Sequence, residues 1–174
     1  MKRKIAVVTG TRAEYGIIKP VLEAIKARAD LELLLVVTGM HLSHEFGYTV
    51  AEIEKDGFKI AAKVDMLLSG DTPESMAKSV GLGITGMAQA WQQLRPDILL
   101  VLGDRVEPLA AVIAGAYMNV PVAHIHGGDS SLGGLDEYAR HAITKLSCIH
   151  FPATKRSAER IIKMGEDKWR GHMV

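Results

Sequence analysis

One cysteine, Cys148, stands in 174 residues. A lone thiol excludes an internal disulfide framework and any multi-cysteine metal site. It is compatible with a reducing compartment, and a cytoplasmic protein is expected. A surplus of charge of one sign is also missing: 21 Lys and Arg face 20 Asp and Glu, for a formal net charge of +1. No global basic field argues for nucleic acid or an anionic membrane surface, so neither is expected as a partner. No apolar run approaches the roughly 18 residues of a membrane span. The basic start Met1-Lys2-Arg3-Lys4 leads only to Ile5–Val8, too short for the apolar core of a signal peptide. Low-complexity tracts and short-period repeats are absent. So are a GxGxxG fingerprint and a Walker A lysine, which weakens dinucleotide and P-loop readings.

What is present is an alternation of strands and helices. Residues 4–9 (KIAVVT) and 33–38 (LLLVVT) are apolar without polar alternation, as strands buried on both faces are. Between them Ile17, Ile18, Val21, Leu22 and Ile25 recur at helical spacing. Residues 40–48 read as a loop or broken helix, 50–56 as a helix stopped by Gly57, 58–64 as a weaker strand and 65–71 as a loop. Thr72-Pro73-Glu74-Ser75 has the composition of a helix start, and that helix runs to Leu94 through Gly81, Gly83 and Gly86. A helix over 136–146, a strand over 147–151 and a helix over 154–164 close the chain. Met66, Met76, Met87 and Met118 read as core filling, and Trp91 and Tyr117 as core or interface packing. Cys148 reads as a small packed residue. The solution is an α/β fold, a doubly wound, Rossmann-like parallel sheet with helices on both faces. No linker interrupts it, so residues 1–174 are expected to form one domain.

The chain is organised around residues 99–129, strand–turn–helix–strand, ending in His124-Ile125-His126-Gly127-Gly128-Asp129. The carboxyl ends of its two strands should lie on the edge where open α/β sheets bind ligands. Asp104, in a Gly-Asp-Arg turn, is either an acid/base or electrostatic group or the N-cap of the helix near Glu107-Pro108. Arg105 has Glu107 or Asp129 as partners. Strand alternation would put His124 and His126 on one side. His126 and Asp129 suit general acid/base work, whereas His124 suits a buried, hydrogen-bonded role. Two His and an Asp without a further ligand cluster do not make a metal site, so no metal is expected. Asp136 and Arg140, like Glu137 and His141, are i,i+4 pairs that share a helix face. The first turn, residues 10–16, opens a helix whose N-terminus favours an anion, with Arg12 and Lys19 adding charge.

Five motifs carry a resemblance: GTRAEYG with IIKP (10–20), TGMHLSHEFG (38–47), LGDRVEPLAA (102–111), VPVAHIHGGD (120–129) and DEYARHAITKLS (136–147). In that order they resemble the UDP-N-acetylglucosamine 2-epimerases, most closely the hydrolysing branch that serves sialic-acid-type sugars. The resemblance implies a GT-B arrangement of two Rossmann-like domains facing a cleft. This chain is similar to the N-terminal one, and the resemblance implies the second, C-terminal nucleotide-binding domain as a missing or separate partner.

The resemblance also implies a reaction on UDP-N-acetylglucosamine without a cofactor. An acid/base removes the C2 proton as UDP leaves C1. Water then adds to the glycal with C2 inverted, giving N-acetylmannosamine. By motif position Arg12 and Lys19 would face the diphosphate and His41 the sugar-nucleotide. Asp104, His126, Asp129, Asp136 and Glu137 would be catalytic, with Arg140 orienting the site. Some relatives carry glutamate where His126 stands; here an acid follows three residues on, at Asp129. A homo-oligomer is expected. Two other readings stay open: a non-catalytic sugar-nucleotide-binding or assembly module, and another GT-B sugar-nucleotide enzyme.

Overall fold

The computed structural model describes residues 2–70, 72–131 and 134–174. Position 71, the last of the expected 65–71 loop, lies outside the described residues.

Among the described residues, six parallel strands form one sheet: β1 (Arg3–Thr9), β2 (Leu31–Thr38), β3 (Ile60–Val64), β4 (Ile98–Leu102), β5 (Val122–Ile125) and β6 (Ile149–Phe151). Their order is β3-β2-β1-β4-β5-β6. The direction of winding reverses between β1 and β4, which places a crevice outside the carboxyl ends of those two strands.

Among the described residues, six helices cover the two faces: α1 (Arg12–Ala27), α2 (Val50–Lys55), α3 (Pro73–Leu94), α4 (Val106–Tyr117), α5 (Leu135–Leu146) and α6 (Lys155–Lys163). The period-2 geometry of the strands divides their apolar residues between two cores. Ala6, Val8, Leu34, Val36, Leu99 and Val101 pack with Met87, Trp91, Ala111 and Ile143. Their neighbours Val7, Leu35, Val37, Leu100 and Leu102 pack on the other face with Ile18, Leu22, Val50 and Ile53. These central strands need no polar face because both sides are covered.

The helix starts follow their local chemistry. Thr72 caps α3 by accepting from Ser75 N–H, with Pro73 in the first turn; Thr154 caps α6 through Ser157 N–H. The expected loop or broken helix over 40–48 contains two short 3₁₀ turns, Gly39–Leu42, which starts one residue earlier, and His44–Phe46.

Several local expectations change. β6 begins only at Ile149, because Ser147 and Cys148 are the turn that leads into it. Met66 and Met87 are core, but Met76, in the first turn of α3, and Met118, at the end of α4, are exposed. Ile17 is also exposed, on the outer side of α1. Trp91 is buried and its indole N–H donates to Ala111 O, whereas Tyr117 stands in solvent.

Candidate active site

Asp104 follows β4 directly, on the turn opened by Gly103, whose φ is +78°. It is not the helix cap: the N-cap of α4 is Arg105, with no side-chain capping bond. The Asp104 carboxylate instead accepts from Arg140, on α5. Arg140 is buried and gives its other nitrogen to Glu137, at 2.7 Å, and to the Asp129 carbonyl, at 3.2 Å. One planar guanidinium thus joins three segments, as its fork of donors allows.

This choice of partners removes an expected pair. Asp136 does not bind Arg140; it is exposed on the first turn of α5 while Arg140 turns inward. The Glu137–His141 pair does form, at 3.3 Å. Glu137 also accepts from the Ser131 N–H at 2.9 Å and the Ser130 hydroxyl at 3.1 Å. The Ser131 N–H, then the Ser130 hydroxyl and His141, hold its carboxyl below the usual range against the cost of burial.

The two histidines of β5 part company. The strand ends at Ile125, and His126 takes a left-handed φ of +65°, so strand alternation does not extend to it. His126 Nδ1 lies 3.0 Å from Asp129 Oδ2, and Asp129 Oδ1 accepts from Ser157. His124 is fully buried, between Gly103 O and Thr144 Oγ1. Its imidazole is held neutral by burial, with a pKa lowered to about 4.

The first turn is already filled from within. Glu14 closes a capping box: the Gly10 and Thr11 N–H groups donate to its Oε2, at 3.0 and 3.1 Å. An internal carboxylate thus takes two donors that an anion was expected to use. Burial, and then the nearby charge of Glu107, push its pKa up to about 7.

Of the two cations expected to face a diphosphate, Arg12 is exposed and its Nε lies 3.1 Å from Glu52. Lys19 binds Asp56 at 2.8 Å, beside the Tyr15 hydroxyl, which donates to the same carboxylate at 2.7 Å. His41 is fully buried, so its ring presents no atom to solvent. Its Nε2 meets Thr9 Oγ1 at 3.1 Å and its Nδ1 meets Thr49 Oγ1 at 2.7 Å. Its backbone N–H donates to Gly10 O, so it supports the first turn. Burial lowers its pKa to about 4.

Sequence reasoning passes over Glu107 as a site residue. It is fully buried, its Oε2 lies 3.3 Å from Arg105 Nε, and its Oε1 has no hydrogen-bond partner among the described residues. A signal is available. In VEPLAAVIAGAY it is the one charge in a helix otherwise apolar on every side. Arg105 pairs with Glu107 rather than Asp129.

Two open clefts lie along the carboxyl edge. One, of about 590 Å³, is lined by Thr11, Arg12, Met40, Thr49 and Arg105, residues that follow β1, β2 and β4. The other, of about 530 Å³, is lined by Asp129, Ser130, Thr154, Arg156, Ser157 and Arg160, which follow β5 and β6. Each brings two arginines to the edge, a chemistry suited to an anionic ligand. Among the described residues, no group of three or more His, Cys, Asp or Glu is placed to hold a metal ion. No helix among them is long and apolar enough to cross a membrane.

A sequence model of the UDP-N-acetylglucosamine 2-epimerase family matches residues 23–174. The chain belongs to that family.

Among curated members of the 2-epimerase family, the UDP-N,N'-diacetylbacillosamine 2-epimerase (hydrolyzing) of Legionella pneumophila is 47% identical over 166 residues. The match covers 95% of this chain and 44% of that protein. The GDP/UDP-N,N'-diacetylbacillosamine 2-epimerase (hydrolyzing) of Campylobacter jejuni is 39% identical over 169 residues, covering 97% of this chain and 44% of that one. The chain therefore spans under half the length of these relatives. The crystal structure of UDP-GlcNAc 2-epimerase from Neisseria meningitidis, bound to UDP-GlcNAc, superposes with a TM-score of 0.85 at 21% identity. The match covers 98% of this chain and 45% of that structure. At that identity it establishes a shared fold, the Rossmann-like domain of a GT-B epimerase.

Proposed function

We propose that this chain is the N-terminal catalytic domain of a hydrolysing sugar-nucleotide 2-epimerase, acting on UDP-N-acetylglucosamine with a C-terminal domain supplied by the rest of the enzyme or a partner. The observation that carries the reading is the meeting of Asp104, Glu137 and the Asp129 carbonyl on the buried Arg140 guanidinium, beside the His126–Asp129 pair. Family membership supplies the chemistry.

The reaction needs a group to take the C2 proton while the C1–O bond breaks and its electrons leave with UDP. Water then adds hydroxyl to C1 of the glycal, and a proton returns to C2 on the opposite face. Asp129 orients the imidazole of His126, leaving its second nitrogen for acid/base work. Asp104 is the second acid/base group, poised by Arg140. Glu137 fixes Arg140, and Asp136, exposed beside it, completes the acids of this rim. Arg12 and Arg105 flank the cleft where negative charge develops on the leaving diphosphate. Lys19 strengthens that field from its pair with Asp56, and His41 acts through the turn it supports. The reading includes a homo-oligomer, which sedimentation tests.

A second substrate is favoured by the names of the Legionella and Campylobacter relatives: UDP-N,N'-diacetylbacillosamine. Both are 2-acetamido sugars on the same diphosphate, so the C1–C2 chemistry is unchanged. The test is to add each sugar-nucleotide to this chain together with a relative's C-terminal domain, and to follow free UDP and the released sugar. Free UDP with a 2-epimerised free sugar supports the reading. No turnover of either, with the second domain bound, contradicts it and favours a non-catalytic module.

A further inference from the structure

Asp104 and Arg140 meet from different elements, and although Glu137 and the Asp129 carbonyl hold the guanidinium, neither of them touches the turn that carries Asp104. Asp104 rides on the three-residue Gly103-Asp104-Arg105 turn, and Arg140 reaches it from the end of a long side chain. Behind both lies one imidazole. His124 Nε2 is 2.7 Å from the carbonyl of Gly103, the residue before Asp104. His124 Nδ1 is 3.2 Å from Thr144 Oγ1, and that hydroxyl donates to the carbonyl of Arg140 itself at 2.9 Å. The contacts close a ring: Asp104 turn, imidazole, threonine, Arg140 backbone, Arg140 guanidinium and Asp104 carboxylate.

We propose that His124 is a positioning residue that fixes the Asp104–Arg140 pair, tying the β4 turn to α5 through a single buried, neutral imidazole. It has no exposed atom, so it acts through its neighbours and not on a ligand. Its tautomer follows from its partners. A carbonyl only accepts, so Nε2 carries the proton and Nδ1 is left an acceptor. The Thr144 hydroxyl is then the one donor for two acceptors, Arg140 O at 2.9 Å and Nδ1 at 3.2 Å, and shares its proton between them. The imidazole grips the Asp104 turn firmly and meets α5 through that shared proton.

Gly127 bears on the same point. A Cβ there would lie 2.8 Å from His124 Nδ1 and 3.0 Å from Thr144 Oγ1. The 126–129 loop, which carries His126 and Asp129, is therefore seated directly on the imidazole–threonine contact. The imidazole therefore bears on the seat of that loop as well as on the Asp104 turn.

The test uses three variants. His124→Gln keeps an N–H donor near the position of Nε2. His124→Leu removes both polar contacts at similar size. His124→Asn keeps a polar group near Nδ1 but is too short to reach Gly103 O. In this chain by itself, nitrogen NMR of the imidazole is expected to show the neutral Nε2–H form at pH 7. The Arg140 guanidinium protons are expected to exchange about tenfold faster in His124→Leu than in the wild type, the scale of one lost net hydrogen bond, with His124→Gln close to wild type. An Nδ1–H tautomer, or unchanged Arg140 exchange in a cooperatively folded His124→Leu, overturns the proposal. If His124→Leu does not fold, His124→Asn decides: faster Arg140 exchange supports, unchanged exchange overturns. These readouts do not depend on the epimerase reading. The activity arm does: with the second domain present, His124→Leu is expected to lower kcat by about 100-fold, the scale of a displacement near 1 Å, with KM little changed and most of kcat restored in His124→Gln. A wild type without turnover fails that reading, and the NMR and exchange results then decide the role of His124 by themselves. Equal falls in His124→Leu and His124→Gln overturn the proposal.

Discussion

A Cβ on Gly10 would lie 2.6 Å from Cγ of Glu107. The same acid closes on a second turn, since a Cβ on Gly39, at φ +61°, would lie 2.5 Å from its Oε1. Glu107 therefore fills the space beneath the turns that follow β1 and β2, and these turns come close only because they open with glycine.

Gly10→Ala is expected to destabilise the chain by roughly 1–3 kcal/mol, the usual cost of overpacking. Glu107→Ala removes the Cγ and Cδ contacts, so the double variant should lose less than the sum of the two. Thermal or urea unfolding of the four proteins measures the coupling; strict additivity would show that the two residues do not compete for space.

Glu14 imposes a pH dependence of opposite sign to that of an ordinary surface acid. Its folded pKa, about 7, lies above the ordinary 4.5. The folded state therefore holds its proton more tightly, and this contribution is complete below pH 4.5 and lost as pH rises through 7. Glu14→Gln should remove that decline. Unfolding curves between about pH 5 and 8 should fall more steeply with pH for the wild type than for the variant; parallel curves would refute the assignment.

The buried histidines act at the acid end. His41 and His124 both have folded pKa values of about 4, below the ordinary 6.5. The unfolded chain takes up protons first, so their contribution is present above pH 6.5 and lost as pH falls toward 4. His41→Gln should flatten the stability curve between those limits. Ring-proton NMR should find His41 still neutral at about pH 5, and a midpoint near 6.5 would contradict the burial argument.

Asp104→Asn keeps the shape of the turn and removes the charge that Arg140 meets. With a second domain present, kcat should fall by about 10²–10⁴, the range for loss of an acid/base group. Asp136→Asn should cost less, because Asp136 is exposed and apart from the Arg140 junction. Steady-state kinetics on both variants check the ranking; a larger loss at Asp136 would move the acid/base role to the outer rim.

The sheet is legible in the sequence because its signal is local. Leu33–Val37 and Leu99–Leu102 are apolar at every position, which only a strand covered on both sides requires. The candidate site is legible as a set of segments but not as a set of partners. Helical spacing pairs Arg140 with Asp136, its neighbour on one face; in the fold it turns to Asp104. Lys19 stands in the sequence as a free cation, but Asp56 lies beyond an intervening strand in the chain, and spacing cannot show such a pair. Strand alternation misplaces His126, whose positive φ breaks the strand. Glu14 and Glu107 are easier to read from the sequence. Thr11-Arg12-Ala13-Glu14 is a capping box in plain sequence, and a lone acid in an otherwise apolar helix calls for a buried role.

The most direct test of the epimerase reading is proton NMR of UDP-N-acetylglucosamine in D₂O with this chain and a relative's C-terminal domain. The account predicts free UDP together with N-acetylmannosamine that carries deuterium at C2, because the proton removed there is replaced from solvent. Released N-acetylmannosamine that keeps its original hydrogen at C2, or a UDP-linked product with no free sugar, would contradict it.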